Sequence, residues 1–214
     1  MKNRYRITYK KGQELRYTAN LDMHRIWERW MRRANVPLEY SQGFHPQPRL
    51  NQAAPLPLGM LSECEMIDIW VSEQFTQENL QHNLLLYPQP GITVKNIEPI
   101  DMTAPALPTL VEATTYLVLP LYAFDRNELD AKISSLLDQQ SIIRERRQKQ
   151  YDLRPLVLSI IVEDSSGETE PSLRMELLAQ PSKTGRPDEV MNALEYDPMN
   201  FRYIRQSMSL KAAS

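Results

Sequence analysis

From Arg4 to Lys10 the sequence RYRITYK alternates without a break, and shortly afterwards the spacing of the apolar residues changes. Tyr5, Ile7 and Tyr9 fall on one side of the first segment, and Arg4, Arg6, Thr8 and Lys10 on the other, the pattern of a strand with one face against a core. Met23, Ile26, Trp27, Trp30, Met31 and Ala34 then recur at three- and four-residue spacing, which makes one apolar stripe on a helix over residues 21–34. A strand and a helix that each expose a single apolar face bury them against each other. The chain is therefore constrained from its first segment to a layered arrangement of helix on sheet.

The rest of the first half extends that frame. Asn20 or Thr18 is expected to cap the helix, with Asp22 in its first turn, and Val36-Pro37 to end it, because a residue before proline is pushed out of the α region. Residues 50–54 form a short strand broken by Pro55-Leu-Pro-Leu-Gly59, an edge or bulged position. Residues 64–72, CEMIDIWVS, are apolar almost throughout and read as a central strand. A second helix starts at Thr76, with Phe75 and Leu80 at the spacing of a hydrophobic staple, and ends before Pro88. Residues 92–97 give one more strand, so the order is β-α-β-β-α-β.

Residues 98–110 carry three prolines and no period, and read as a linker. Beyond them the order recurs. A strand over 116–121 is followed by a helix capped by Asp125 or Asn127 that runs to about Leu137. A long strand over 151–162 turns at Ser165-Ser-Gly167 into a strand over 173–178, a helix opens at Arg186-Pro187, and a strand over 201–210 closes the chain. The expected fold is α+β, with two tandem ferredoxin-like domains over residues 1–100 and 113–214 joined by a linker over 101–112.

Charge is distributed unevenly. The net charge is −2, yet residues 1–50 hold eleven Lys/Arg against four Asp/Glu, a balance of +7, and the remainder stands at −9. Such asymmetry points to an anionic partner, with a merely solvated basic end as the plainer alternative. The candidate phosphate-binding residues are Arg25, Arg29, Arg32 and Arg33 on the first helix, Arg49 after it, and Arg144, Arg146, Arg147 and Arg154 in the basic segment 144–155. Guanidinium groups suit this task because their donor fork matches phosphate oxygens. The segment Tyr40, Ser41, Gln42, Gly43, Phe44, His45 carries the candidate loop and base-stacking residues, stiffened by Pro46 and Pro48. If the two halves are related by a pseudo-two-fold, both basic joints line one cleft, and Arg33 and Arg49 face Arg146 and Arg154.

Other chemistry finds little support in the residues. One cysteine, Cys64, supplies neither a disulfide framework nor the three-cysteine cradle of an iron–sulfur cluster. The three histidines show no metal-ligand spacing, and neither a P-loop nor a GxGxxG occurs, so no metal or cofactor is expected. No apolar run is long enough to span a membrane and no secretory signal is visible, which leaves the cytoplasm as the default location. His24 or His45 as general acid or base in a metal-independent RNA-processing endonuclease is the enzymatic alternative, carried by fold-level analogy.

Several segments taken together resemble the radical-SAM-linked proteins, a domain of unknown function that occurs fused to a radical SAM enzyme or as its separate neighbour. The matching residues are Gly12, Leu15-Arg16-Tyr17, Asn20-Leu21-Asp22, Arg32-Arg33-Ala34, Tyr40-Ser41-Gln42-Gly43-Phe44-His45-Pro46, Pro48-Arg49 and Leu56-Pro57-Leu58-Gly59. In the second half, Tyr151-Asp152-Leu153-Arg154-Pro155 and Gly185-Arg186-Pro187 also match. Thr18-Ala19-Asn20 departs from the Ser-His pair usual before Leu-Asp. The resemblance implies a radical SAM enzyme as partner and an accessory role that presents a substrate, tRNA or another RNA, to it. The further alternative is a protein-interaction module that docks on that partner without RNA.

Overall fold

The structure is a computed structural model in which residues 2–146, 148–163 and 171–211 are described. They form a mixed α+β fold in two compact units, one reaching to Val111 and joined by Lys211, the other spanning Glu112–Leu210.

The first unit contains β1 (Lys2–Lys11), α1 (Asn20–Arg33), β2 (Leu50–Gln52), β3 (Leu61–Ser72), α2 (Gln77–Leu86), β4 (Ile92–Ile100) and one helical turn, α3 (Leu107–Leu110). Its strands lie in the order β2-β3-β1-β4, and each of these pairs is antiparallel. Tyr5, Ile7 and Tyr9 from β1 and Ile67, Ile69 and Val71 from β3 share the face covered by both helices. Trp27, Met31 and Leu80 retain no exposed surface there, and burial of each such side chain contributes about 1.5–3 kcal/mol. Trp27 meets Tyr9 edge-on, with ring centroids 4.8 Å apart, and Trp30 at 4.9 Å.

The helix ends are set by specific residues. Ala19, not Asn20 or Thr18, occupies the N-cap of α1, and no side chain caps it. At the other end Asn35 takes a left-handed φ of 52°, and the N–H groups of Val36 and Asn35 return to the carbonyls of Met31 (2.9 Å) and Arg32 (3.2 Å). This is a Schellman closure, so Asn35 ends the helix before Pro37 is reached. Thr76 caps α2 in a capping box with Asn79, Phe75 packs on the core and Leu80 is buried, as the staple spacing predicts. Asn83 of α2 donates to the carbonyl of Ala34 at 2.8 Å, tying the second helix to the end of the first.

The second unit contains β5 (Val111–Pro120), α4 (Arg126–Asp138), β6 (Ile143–Arg146), β7 (Lys149–Asp152), β8 (Val157–Glu163), β9 (Ser172–Gln180), β10 (Lys183–Thr184), α5 (Pro187–Ala193) and β11 (Phe201–Leu210). Strand β9 lies between β8 and β5, β10 turns back to pair antiparallel with its end, and β11 flanks β5. Asp125 caps α4 by accepting from Asn127 and Glu128, and Pro187 is the first residue of α5.

Two sequence expectations change here. The long strand over 151–162 is two strands, β7 and β8, separated by a 3-10 turn at Arg154–Leu156. The basic segment is no open loop: β6 and β7 pair as a hairpin in which Gln148 takes a φ of 62°. The turn expected at residues 165–167 lies outside the described residues. In the linker, β4 runs on to Ile100 and α3 forms at Leu107–Leu110. No helix among the described residues is long and apolar enough to cross a membrane.

Candidate functional site

Arg4 and Arg6, on the basic side of β1, are internal. Asp68 of β3 stands opposite Arg6 in register, and its carboxylate accepts from Arg6 Nε at 2.8 Å and from Arg4 Nη2 at 2.6 Å. All three side chains are buried. Alternation identifies which residues share a side of a strand, but it does not reveal that the side is covered. Arg4 also donates to the carbonyls of Ala104 (2.6 Å) and Pro105 (2.8 Å), which pins the segment after β4 over this face.

Much of the remaining basic surplus is paired as well. Lys2 meets Glu39 at 2.5 Å, and Lys10 and Lys95 share Glu63 at 2.7 and 2.8 Å. The Glu63 carboxyl stays below its ordinary value: burial alone would raise it, and the two ammonium groups more than offset that. On α1, Arg25 pairs with Asp22 at 3.4 Å and Arg32 with Glu28 at 2.9 Å, while Arg33 donates to the Pro88 carbonyl and the Gln89 side chain. These pairs lie at the surface, where they hold their partners weakly and remain exchangeable for another anion. Arg29 is exposed on the same helix.

Beyond α1 the chain doubles back on itself. Glu39 donates to the Trp70 carbonyl at 2.8 Å, and Trp70 donates to the Arg49 carbonyl at 3.2 Å, so residues 39 and 49 both hang from the edge of β3. Arg49 donates to Glu39 at 2.8 Å, Tyr40 and Pro48 are bridged, and Ser41 donates to Gln47 at 2.8 Å. Gln47 returns a backbone N–H to the Ser41 hydroxyl at 3.0 Å. The result is a narrow finger with Gln42, Gly43, Phe44, His45 and Pro46 at its tip, all exposed. Gly43 has a φ of 133°, a conformation L-residues rarely take, and a Cβ there would touch nothing, so the turn demands glycine for its backbone alone. Phe44 is 102% exposed and touches no apolar partner.

At the base of the finger lies a cleft of about 390 Å³, bordered by Ser41, Gln47, Arg49, Asn51, Trp70 and the pinned segment around Ala104. Arg49 lies over the Trp70 ring, its guanidinium carbon 4.6 Å from the centroid. The first unit therefore brings together Tyr40, Ser41, Gly43, Phe44, His45 and Arg49 on one projection, while Arg25, Arg29, Arg32 and Arg33 line α1.

In the second unit Arg144 and Arg146 lie on β6, and Arg147 lies outside the described residues. Arg154 is turned inward: it donates to the Leu137 carbonyl at 3.1 and 2.9 Å and to the Val157 carbonyl at 3.0 Å. Asp152 accepts from the N–H groups of Ile142 (2.8 Å) and Arg154 (3.0 Å), and the first of these bonds leads in holding its carboxyl below the ordinary value. Both residues thus close the base of the β6–β7 hairpin. Burial, then the Glu189 carboxylate, pushes the Tyr151 phenol up. Gly185 and Arg186, far away in sequence, come to the same place: a cleft of about 570 Å³ is bordered by Arg146, Tyr151, Asp152, Lys183 and Arg186. No group of three or more His, Cys, Asp or Glu that could hold a metal ion occurs among the described residues.

A family model described as an uncharacterized protein conserved in bacteria, DUF2344, matches residues 4–187. The chain belongs to that family. No curated protein matches it. The DUF2344 match takes in the finger, the first helix, the β6–β7 hairpin and Gly185-Arg186-Pro187.

Proposed function

We propose that this DUF2344 protein is a non-catalytic accessory protein that binds RNA and presents it to a radical SAM enzyme in the cytoplasm, through two tandem ferredoxin-like units. The strand order β2-β3-β1-β4 with two helices on one face supports the ferredoxin-like reading for the first unit, and β8-β9-β5-β11 supports it for the second. The radical SAM partner rests on the sequence resemblance in the Gly43-Phe44-His45-Pro46 block and the segments around it.

The observation that carries the RNA reading is the finger. A fully exposed aromatic ring on a stiff, hydrogen-bonded arm is a stacking platform for an unpaired base, and stacking is how proteins take hold of single-stranded loops and ends. Arg49 at the base of the finger offers a guanidinium already oriented by Trp70, Arg25 and Arg32 can turn from weak surface pairs toward phosphates, and Arg29 is exposed beside them on the helix. A structured RNA with an accessible loop, such as tRNA, fits that combination.

The test is a titration of labelled tRNA against the full chain over a salt series. Binding at low salt, with a log–log slope of about −0.7 for each phosphate contact to a single strand, supports the proposal. A slope near zero, or no binding at low salt, removes it. The same RNA incubated in EDTA stays intact if the protein only binds, and is cut if the endonuclease alternative holds. Co-purification with the radical SAM enzyme that survives nuclease, without any RNA binding, favours a protein-interaction module instead.

A further inference from the structure

We propose that the cleft of the second unit binds a single nucleoside monophosphate unit, either free or as one nucleotide of an RNA strand. Only the RNA source rests on the function proposed above.

The walls of this cleft are fixed. Asp152 anchors the hairpin on one side through two backbone N–H groups, and Arg154 locks the following turn to the end of α4. On the other side a Cβ at Gly185 would lie 2.9 Å from the Leu156 carbonyl oxygen and 3.1 Å from Leu177 Cβ. Only a residue without a side chain lets the joint between β10 and α5 press so closely, and the Gly185 N–H is held by Leu178 at 2.8 Å. A preformed cavity of about 570 Å³ is of the size that holds a small ligand.

Its lining combines three kinds of group. Pro155, Leu156 and Leu178 supply an apolar surface, with the Tyr151 ring at its side, a setting for a flat heterocycle. Arg146 and Lys183 add positive charge to the same lining, and neither forms an ion pair among the described residues. The nearby acids are otherwise engaged: Asp152 with its two N–H groups, Asp188 with Arg186 at 2.9 and 2.5 Å, and Glu189 with the Tyr151 hydroxyl. Two cations without an ion pair among the described residues are a site for a compact dianion. On the same lining, Ser182 and Thr184 donate their hydroxyls to the Pro181 and Gln180 carbonyls, which leaves each oxygen as an acceptor for a ribose hydroxyl or a base N–H. Heterocycle, hydroxylated sugar and phosphate are the parts of a nucleotide, and the lining holds a match for each.

Isothermal titration of the full chain with the four ribonucleoside monophosphates, the matched nucleosides and inorganic phosphate tests the assignment. At least one monophosphate is expected to bind with a Kd below about 1 mM, and its nucleoside and inorganic phosphate each about tenfold more weakly or worse. The double variant Arg146→Ala/Lys183→Ala is expected to bind that nucleotide about tenfold more weakly with an unchanged circular dichroism spectrum. Three results overturn the proposal: no monophosphate bound at about 5 mM, phosphate alone bound as tightly as the nucleotide, or an unchanged affinity in the double variant. If no monophosphate binds while tRNA still does, the pocket assignment falls and the finger reading stands. Where the nucleotide binds, its ability to displace labelled RNA identifies RNA as the source, and failure to displace it identifies the free nucleotide.

Discussion

Arg4 and Asp68 meet at 2.6 Å on neighbouring strands with almost no exposed side-chain surface on either. Arg6 shares the same carboxylate, so one anion compensates two buried guanidiniums. Asp68→Ala removes the anion and leaves both cations in a low-dielectric setting, which costs about 3–5 kcal/mol. Urea unfolding of the variant should show a lower midpoint with an unchanged slope. An unaltered midpoint would show that the charges are hydrated after all.

Phe44 buries nothing in the folded chain, so Phe44→Ala should leave the thermal midpoint where it is. If the ring stacks on a base, the same change weakens RNA binding by about 1–3 kcal/mol, a factor of about 5 to 150. Fluorescence anisotropy with a labelled single-stranded RNA reads this directly. Loss of stability together with affinity would mean that the ring has a packing role in the protein itself.

Gly185→Ala places a methyl group against a backbone carbonyl and a neighbouring Cβ, neither of which can swing aside. Overpacking of this kind costs about 1–3 kcal/mol. Gly43→Ala meets no atom, and its cost is confined to the backbone conformation, about 1 kcal/mol or somewhat more. A comparison of the two variants by chemical denaturation separates steric conflict from conformational strain.

Asp152 gives a pH signature. Its carboxyl is held below the ordinary value in the folded chain, chiefly by the Ile142 N–H. A group of this kind contributes stability that is complete above the unfolded value of about 3.9 and is lost as the pH falls through the folded value. The wild type should therefore lose stability more steeply than Asp152→Ala below about pH 4, and the two should run parallel between about pH 6 and 8. Protection of the Ile142 and Arg154 amides in hydrogen exchange should fall over the same acid range.

What the sequence made legible follows from which signals are local. The capping box at Thr76, the Asp125 cap and the Pro187 start are written within a turn of their helices, and β11 occupies the span its alternation marks. The β6–β7 hairpin was hidden because its turn uses Gln148 in a left-handed conformation, with no glycine or asparagine to announce it. Arg4 and Arg6 looked solvent-facing because their partner, Asp68, is supplied from a distant strand. For the same reason the surplus of positive charge in residues 1–50 overstates the basic surface. The finger's residues were visible as a block, yet its closure by Glu39, Arg49, Ser41 and Gln47 depends on the edge of β3. The cleft of the second unit was not anticipated as a cavity, although the segments that border it, Tyr151–Pro155 and Gly185–Pro187, stand out in the sequence.

The finger's closure also has a kinetic meaning. Its arms are already bonded to each other and to β3, so a partner meets a loop that needs no ordering on contact. Encounter should then proceed at a rate set by orientation and charge, about 10⁵–10⁷ per molar per second. Differences among Phe44, Arg49 and Tyr40 variants should accordingly register in how long the complex lasts, not in how often it forms.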